Sequence, residues 1–256
     1  MRSTLLKGKR GLVVGIANEH SIAAGCARAF RVAGAELAVT YANATSKPYV
    51  APVAEALEAS IFLPLDVRDE DQTSALFDAI KSEWGQLDFL LHSIAFCPKE
   101  DLHGRVSQCS KEGFALAMDI SVHSLIRLTR RAVPLMPGGG SILTMSYYGA
   151  EKVVDNYNIM GPVKSALEGT VRYLAAELGP KQIRVNALSP GPVQTRAGSG
   201  IAHFDELIDD AKRRAPEHSL VTLEDIGHVA AGLFSDLSAK VTGYITYVDG
   251  GYHVVA

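Results

Sequence analysis

Cysteine is scarce: Cys26, Cys97 and Cys109 are the only three in 256 residues. The number is odd, no Cys-x-x-Cys occurs, and the spacing fits neither a disulfide framework nor a zinc site. A reduced, cytosolic compartment and no bound metal are therefore expected. Long apolar runs are missing too. No stretch approaches the roughly 18 uninterrupted apolar residues of a membrane span. The opening "MRSTLLKGKRGLVVGIANEH" has basic then apolar residues, but the apolar part is short and broken by glycine, so it reads as a first core strand rather than a targeting segment. Charge of one sign is absent as well: 25 Lys and Arg against 28 Asp and Glu give a net charge of -3. Nothing in that balance suggests a nucleic-acid partner. Internal repeats, low-complexity tracts and Pro/Gly/Ser-rich linkers are also lacking, which favours one domain over residues 1–256.

What is present is a rhythm. Short apolar runs of strand length, "GLVVGIA", "AELAVTYA", "SIFLPLDV", "LDFLLHSIAF", "GSILTMSY", "IRVNALSPGP" and "YITYVDGG", alternate with longer segments of helical periodicity. Strands apolar on both faces and separated by helices predict an α/β, doubly wound, mostly parallel sheet with helices on both faces. In such a sheet the site lies in loops beyond the carboxyl ends of the strands. The least sheet-like segments, residues 97–110 and 197–216, are the candidates for substrate-facing structure.

The first strand runs into "GIANEHSIAAG". Gly15 can make the tight turn, and Ser21, Ala23 and Gly25 open a helix whose N-terminus can meet a pyrophosphate. Ala23 and Gly25 are small enough for that helix to approach the sheet. The second strand ends in Tyr41, Ala42 and Asn43, with neither the acid nor the cation that often reads an adenine ribose there; the missing cation favours NAD over NADP. Asp66, after the third strand, suits either an adenine amino group or the cap of the next helix. Ser93, Ile94 and Ala95 are small or apolar enough to lie along a ribose, while His92 reads as a core residue.

"NYNIMGPVK" puts Tyr157 seven positions before Lys164. On one continuous helix those seven steps sum to roughly 700°, about 20° short of two turns, so the two side chains would share a face. Pro162 would kink that helix unless it falls in the first turn. Tyr147 stands just beyond the strand "SILTMS".

Together these features resemble the short-chain dehydrogenase/reductase superfamily and, within it, the bacterial enoyl-acyl-carrier-protein reductases. The commonest branch of the superfamily has tyrosine and lysine three residues apart, a Gly-x-x-x-Gly-x-Gly turn and an Asn-Ala-Gly strand end. Here position 160 is Met160, the turn is "GIANEHSIAAG" and the fourth strand ends "HSIAF". Tyr147, Tyr157 and Lys164, separated by nine and six residues, match the enoyl reductase set.

The resemblance implies hydride transfer from NADH, with NADPH less favoured, to a trans-2-enoyl thioester. It gives Tyr157 the developing enolate, Lys164 the nicotinamide ribose, and Tyr147 the thioester. It implies cofactor contacts at Gly15, Ser21, Ile22, Ala42, Asp66, Val67, Ile94, Lys164, Val193, Gln194, Thr195, Arg196 and Ala197, and a substrate contact at Cys97. Arg196 replaces a residue usually apolar in this family. The resemblance also implies a homotetramer and an acyl carrier protein partner; Lys212, Arg213 and Arg214, with Arg196, offer it a basic surface. A ketone/alcohol reductase of the same superfamily and a non-catalytic dinucleotide-binding regulator are the alternatives.

Overall fold

The computed structural model describes residues 4–195, 198–200 and 202–255. Seven strands form one sheet: β1 Arg10–Val14, β2 Glu36–Tyr41, β3 Ile61–Pro64, β4 Phe89–His92, β5 Gly140–Met145, β6 Ile183–Pro190 and β7 Ile245–Val248. Their spatial order is β3-β2-β1-β4-β5-β6-β7, and every pair is parallel. The order reverses between β1 and β4, which opens a crevice at the carboxyl ends of those two strands. All seven strands coincide with the apolar runs of the sequence.

The helices are α1 Ile22–Val32, α2 Lys47–Ala56, α3 Glu70–Trp84, α4 Lys99–His103, α5 Lys111–Met118, α6 Ser124–Ala132, α7 Met160–Leu178, α8 Phe204–Arg214, α9 Leu223–Phe234 and α10 Tyr252–Val255. Alternate strand residues point to opposite faces, and two cores result. Leu12 and Val14 join residues of α3, α6 and α7 on one face, whereas Val13 joins α1, α2 and α9 on the other. Between α5 and α6 the chain makes one wide π turn, Asp119–His123.

Three local readings change. Gly25 does not bring α1 to the sheet; a Cβ there would stand 2.7 Å from Leu223 Cβ, so its bare backbone meets α9. Gly227 answers it, since a Cβ at that position would lie 2.9 Å from the Gly25 carbonyl. The cap of α3 is Asp69, whose side chain accepts from the N–H groups of Asp71 and Gln72, and not Asp66. Finally, α7 begins at Met160, three residues beyond Tyr157. The tyrosine occupies a turn in which Asn156 and Asn158 both have positive φ (62° and 45°), a conformation asparagine tolerates better than most residues. Helical phase therefore does not relate Tyr157 to Lys164. Pro162 falls in the first turn of α7, where no intrahelical N–H bond is lost.

Candidate active site

Two adjoining cavities lie along the carboxyl edge of the sheet. The first, about 530 Å³, runs from Asp66, Val67 and Ala42 past Gly15, Ser21 and Ile22 to Ser93 and Ile94. The second, about 390 Å³, begins at Ile22, Ser93 and Ile94 and continues to Cys97, Tyr147, Tyr157, Lys164 and Val193. Thr195 lines both. Gln194 is exposed and lines neither, and Arg196 and Ala197 lie outside the described residues.

The first cavity suits a dinucleotide. Gly15 has φ +107°, and a Cβ there would collide with the Ser93 carbonyl, so only bare backbone fits between β1 and β4. No side chain caps the first turn of α1, because the Ser21 hydroxyl donates to the Asn18 carbonyl instead; no acid stands in that turn. That leaves a positive helix end facing the groove, as a pyrophosphate requires. At the far end Asp66 is gripped by Arg68 through two hydrogen bonds of 3.0 and 2.6 Å, which hold its carboxyl below the usual range. Arg68 lines the same cavity. A cation is thus supplied after β3 rather than after β2, although it is already paired.

The second cavity carries the reactive groups. The Tyr147 and Tyr157 rings meet edge-on, with centroids 4.8 Å apart. Burial raises the proton affinity of both phenols well above the ordinary range, so both are O–H donors rather than anions. The Tyr147 hydroxyl is buried without a partner among the described residues. Lys164, on the buried face of α7, donates from Nζ to the Met145 carbonyl at 2.5 Å. Burial pushes it down to about 8, with Glu168 opposing the shift. Apolar walls come from Phe96, Leu102, Met160, Phe204 and Leu207.

His92 belongs to the core beneath. It is fully buried, with its ring nitrogens 2.8 Å from Thr144 Oγ1 and 2.8 Å from Ser124 Oγ, and burial pushes it down to about 3. The π turn fastens the junction of the two cavities, because the backbone N–H of Phe96 donates to Ser121 Oγ and that hydroxyl donates back to the Phe96 carbonyl. Across the mouth, Asn158 donates to the Leu102 carbonyl and His103 to that of Gly200.

Three residues escaped the sequence reading. Gly149 lies against both tyrosine rings, and Ser146 donates its hydroxyl to the buried carboxylate of Glu168 at 2.5 Å. Each owes its place to a contact distant in sequence, except that Ser146 and Gly149 flank a tyrosine already singled out. The basic cluster of α8 is also less free than its sequence suggests. Arg213 and Arg214 both pair with Asp210, and Arg214 also donates to the Val255 carbonyl, whereas Lys212 is exposed.

Comparison with known proteins agrees with this geometry. The family described as "Enoyl-(Acyl carrier protein) reductase" matches residues 15–253. The NADH enoyl-acyl-carrier-protein reductase 1 of Rhizobium meliloti is 47% identical over 253 residues, covering 99% of this chain and 93% of that protein. An enoyl-acyl-carrier-protein reductase structure from Anaplasma phagocytophilum, solved with NAD, superposes with a TM-score of 0.95 at 46% identity, covering 99% of this chain and 97% of that one. A Bacillus cereus relative, solved with NADP+ and an indole naphthyridinone, gives 0.96 at 43% identity, covering 98% and 99%. Similarity at this level over essentially the whole length, on a doubly wound parallel sheet, means that the chain belongs to the enoyl-acyl-carrier-protein reductase family.

Proposed function

We propose that this chain reduces the 2,3 double bond of trans-2-enoyl thioesters carried on acyl carrier protein, using NADH, in the last step of each fatty acid elongation cycle. The observation that carries the reading is the meeting of two protonated phenols and a buried lysine in the second cavity, where it adjoins the first. NADH is favoured because the curated relatives are named for it and a solved relative holds NAD, while NADPH remains the lesser choice.

When bound, the nicotinamide supplies a hydride to the β-carbon of the enoyl group. As that carbon is reduced, negative charge develops on the thioester oxygen, and a preformed donor there lowers the barrier. Tyr157 is that donor; its raised proton affinity keeps the O–H in place at working pH. Tyr147, with its hydroxyl unspent, orients the thioester. Lys164 has three N–H donors, one directed to Met145, so the others serve the ribose hydroxyls while its charge favours the developing anion. The pyrophosphate is held by the Gly15 turn and the start of α1, and the acyl chain by Phe96, Leu102, Met160 and Phe204.

The chain works as one dinucleotide-binding and catalytic unit in the cytoplasm, assembled as a homotetramer as in its family. Its carrier-protein partner is acidic, and Lys212, on the helix whose Phe204 and Leu207 line the second cavity, is the free cation of the α8 cluster among the described residues. Oxidation of NADH with crotonyl-CoA and with a longer 2-enoyl carrier thioester tests the reading. Turnover of both is expected, with none on 3-oxoacyl thioesters. Activity on ketones alone would make the protein a ketoreductase, and tight NADH binding without turnover a regulator.

A further inference from the structure

Glu168 is a buried acid that the proposed reaction does not use. It is 4% exposed and lies one helical turn after Lys164, so both side chains leave the same face of α7. They grip consecutive residues at the end of β5: Lys164 Nζ donates to the Met145 carbonyl at 2.5 Å, and Glu168 Oε1 accepts from Ser146 Oγ at 2.5 Å. The next residue is Tyr147. Burying a carboxylate is costly unless its charge is answered, yet an apolar residue does not fill this position. We propose that Glu168 is a positioning residue: through Ser146 it fixes the strand end that presents Tyr147, and from the next turn of the same buried face it sets the electrostatic field around the Lys164 side chain. The proposal rests on Lys164 serving the cofactor.

The surrounding charges agree with this role. On its own helix Glu168 faces Lys164 and Arg172, which favour its ionised form. From the turn after β5 it faces Glu151, which opposes that form, and its charge is felt by Tyr157 and by Tyr247 of β7. Lys164 is in turn felt by His92 on β4, which burial keeps neutral. Burial is the largest influence on Glu168 and leaves it raised above its ordinary value, with the Ser146 hydrogen bond, Arg172 and Lys164 opposing that rise and Glu151 adding to it; Glu168 in turn opposes the downward shift that burial imposes on Lys164.

The test measures the NADH dissociation constant of the full-length protein by fluorescence titration between pH 6 and 10, with circular dichroism to check the fold. Wild-type affinity is expected to fall as pH rises and Lys164 loses its proton, and Lys164→Ala to remove that pH dependence. In Glu168→Gln the fall moves to lower pH by on the order of one unit, so that at the wild-type midpoint the variant binds about fivefold more weakly. Glu168→Asp restores the wild-type profile. A Glu168→Gln profile that overlays wild type, while Lys164→Ala is flat, overturns the role of Glu168 alone. A wild-type fall that persists in Lys164→Ala overturns the role of the lysine and the proposal with it. Should Glu168→Gln not fold, Ser146→Ala decides the positioning half: a roughly tenfold lower kcat with an unmoved NADH profile supports it, and an unchanged kcat overturns it.

Discussion

The backbone of Gly149 lies under the ring of Tyr157: a Cβ at Gly149 would stand 2.5 Å from Tyr157 Cδ1 and 2.9 Å from Cε1, and 3.3 Å from Tyr147 Cδ1. The tyrosine pair is therefore held from below by the absence of a side chain. Gly149→Ala forces the rings outward at an expected cost of about 1–3 kcal/mol in stability. Because the phenol of Tyr157 moves with its ring, kcat should fall at least about tenfold while the NADH dissociation constant stays near wild type, which steady-state kinetics and NADH titration would read separately.

Tyr157→Phe removes the donor without removing the ring that packs on Tyr147. A kcat lowered by roughly 10² to 10⁴ is expected if the phenol stabilises or protonates the developing enolate. A loss below about threefold on crotonyl-CoA would assign that work to Tyr147.

Gly15→Ala must place a methyl group against the Ser93 carbonyl in a backbone conformation that alanine rarely adopts. Loss of NADH binding by at least about tenfold is expected, with a lower unfolding temperature. Normal NADH affinity would mean that the turn does not carry the pyrophosphate.

His92 sets an acid limit on stability. Its folded-state value is pushed down to about 3 from an ordinary 6.5, so the unfolded chain binds the extra proton. The contribution is fully present above pH 6.5 and is lost progressively as pH falls toward 3, amounting to a few kcal/mol at the lower end. His92→Gln should flatten this part of the stability-pH curve in urea unfolding while lowering stability at pH 7, because the imidazole's two bonds, to Thr144 and Ser124, are lost.

Lys212→Glu is the clean probe of carrier docking, since reversing Arg213 or Arg214 would also break their pairing with Asp210. A severalfold rise in KM for the carrier-bound substrate, with no change for the CoA thioester, is expected; equal effects on both would remove Lys212 from the docking surface.

Much of the fold and the site was legible in the chain. The seven strands announce themselves because a sheet covered on both faces must be apolar throughout, and Gly15, Asp66 and Ile94 line the first cavity from just beyond the ends of β1, β3 and β4, with Ser21 at the start of α1. The tyrosine–lysine relation was legible as a spacing but not as a geometry. A seven-residue gap reads naturally as two helical turns, whereas the paired asparagines around Tyr157 drive a left-handed turn that delivers the ring from outside the helix. Gly25 misled for a different reason: its partner, Leu223, is nearly 200 residues away, and nothing local separates helix-on-sheet from helix-on-helix contact. The Ser146–Glu168 bond is similarly invisible, because it depends on the depth at which α7 sits against β5.

The π turn at Asp119–His123 bears on which insertions and deletions this chain can survive. A surface loop can lose a residue cheaply, but here the widened turn sets the angular phase between α5 and α6. Removing one residue would return the backbone to α-helical winding and rotate α5 by about 100° relative to α6. Ser121, which is bonded to Phe96, and Ser124, which is bonded to His92, could not both keep their partners. The length of this short stretch is therefore as constrained as the identity of its residues.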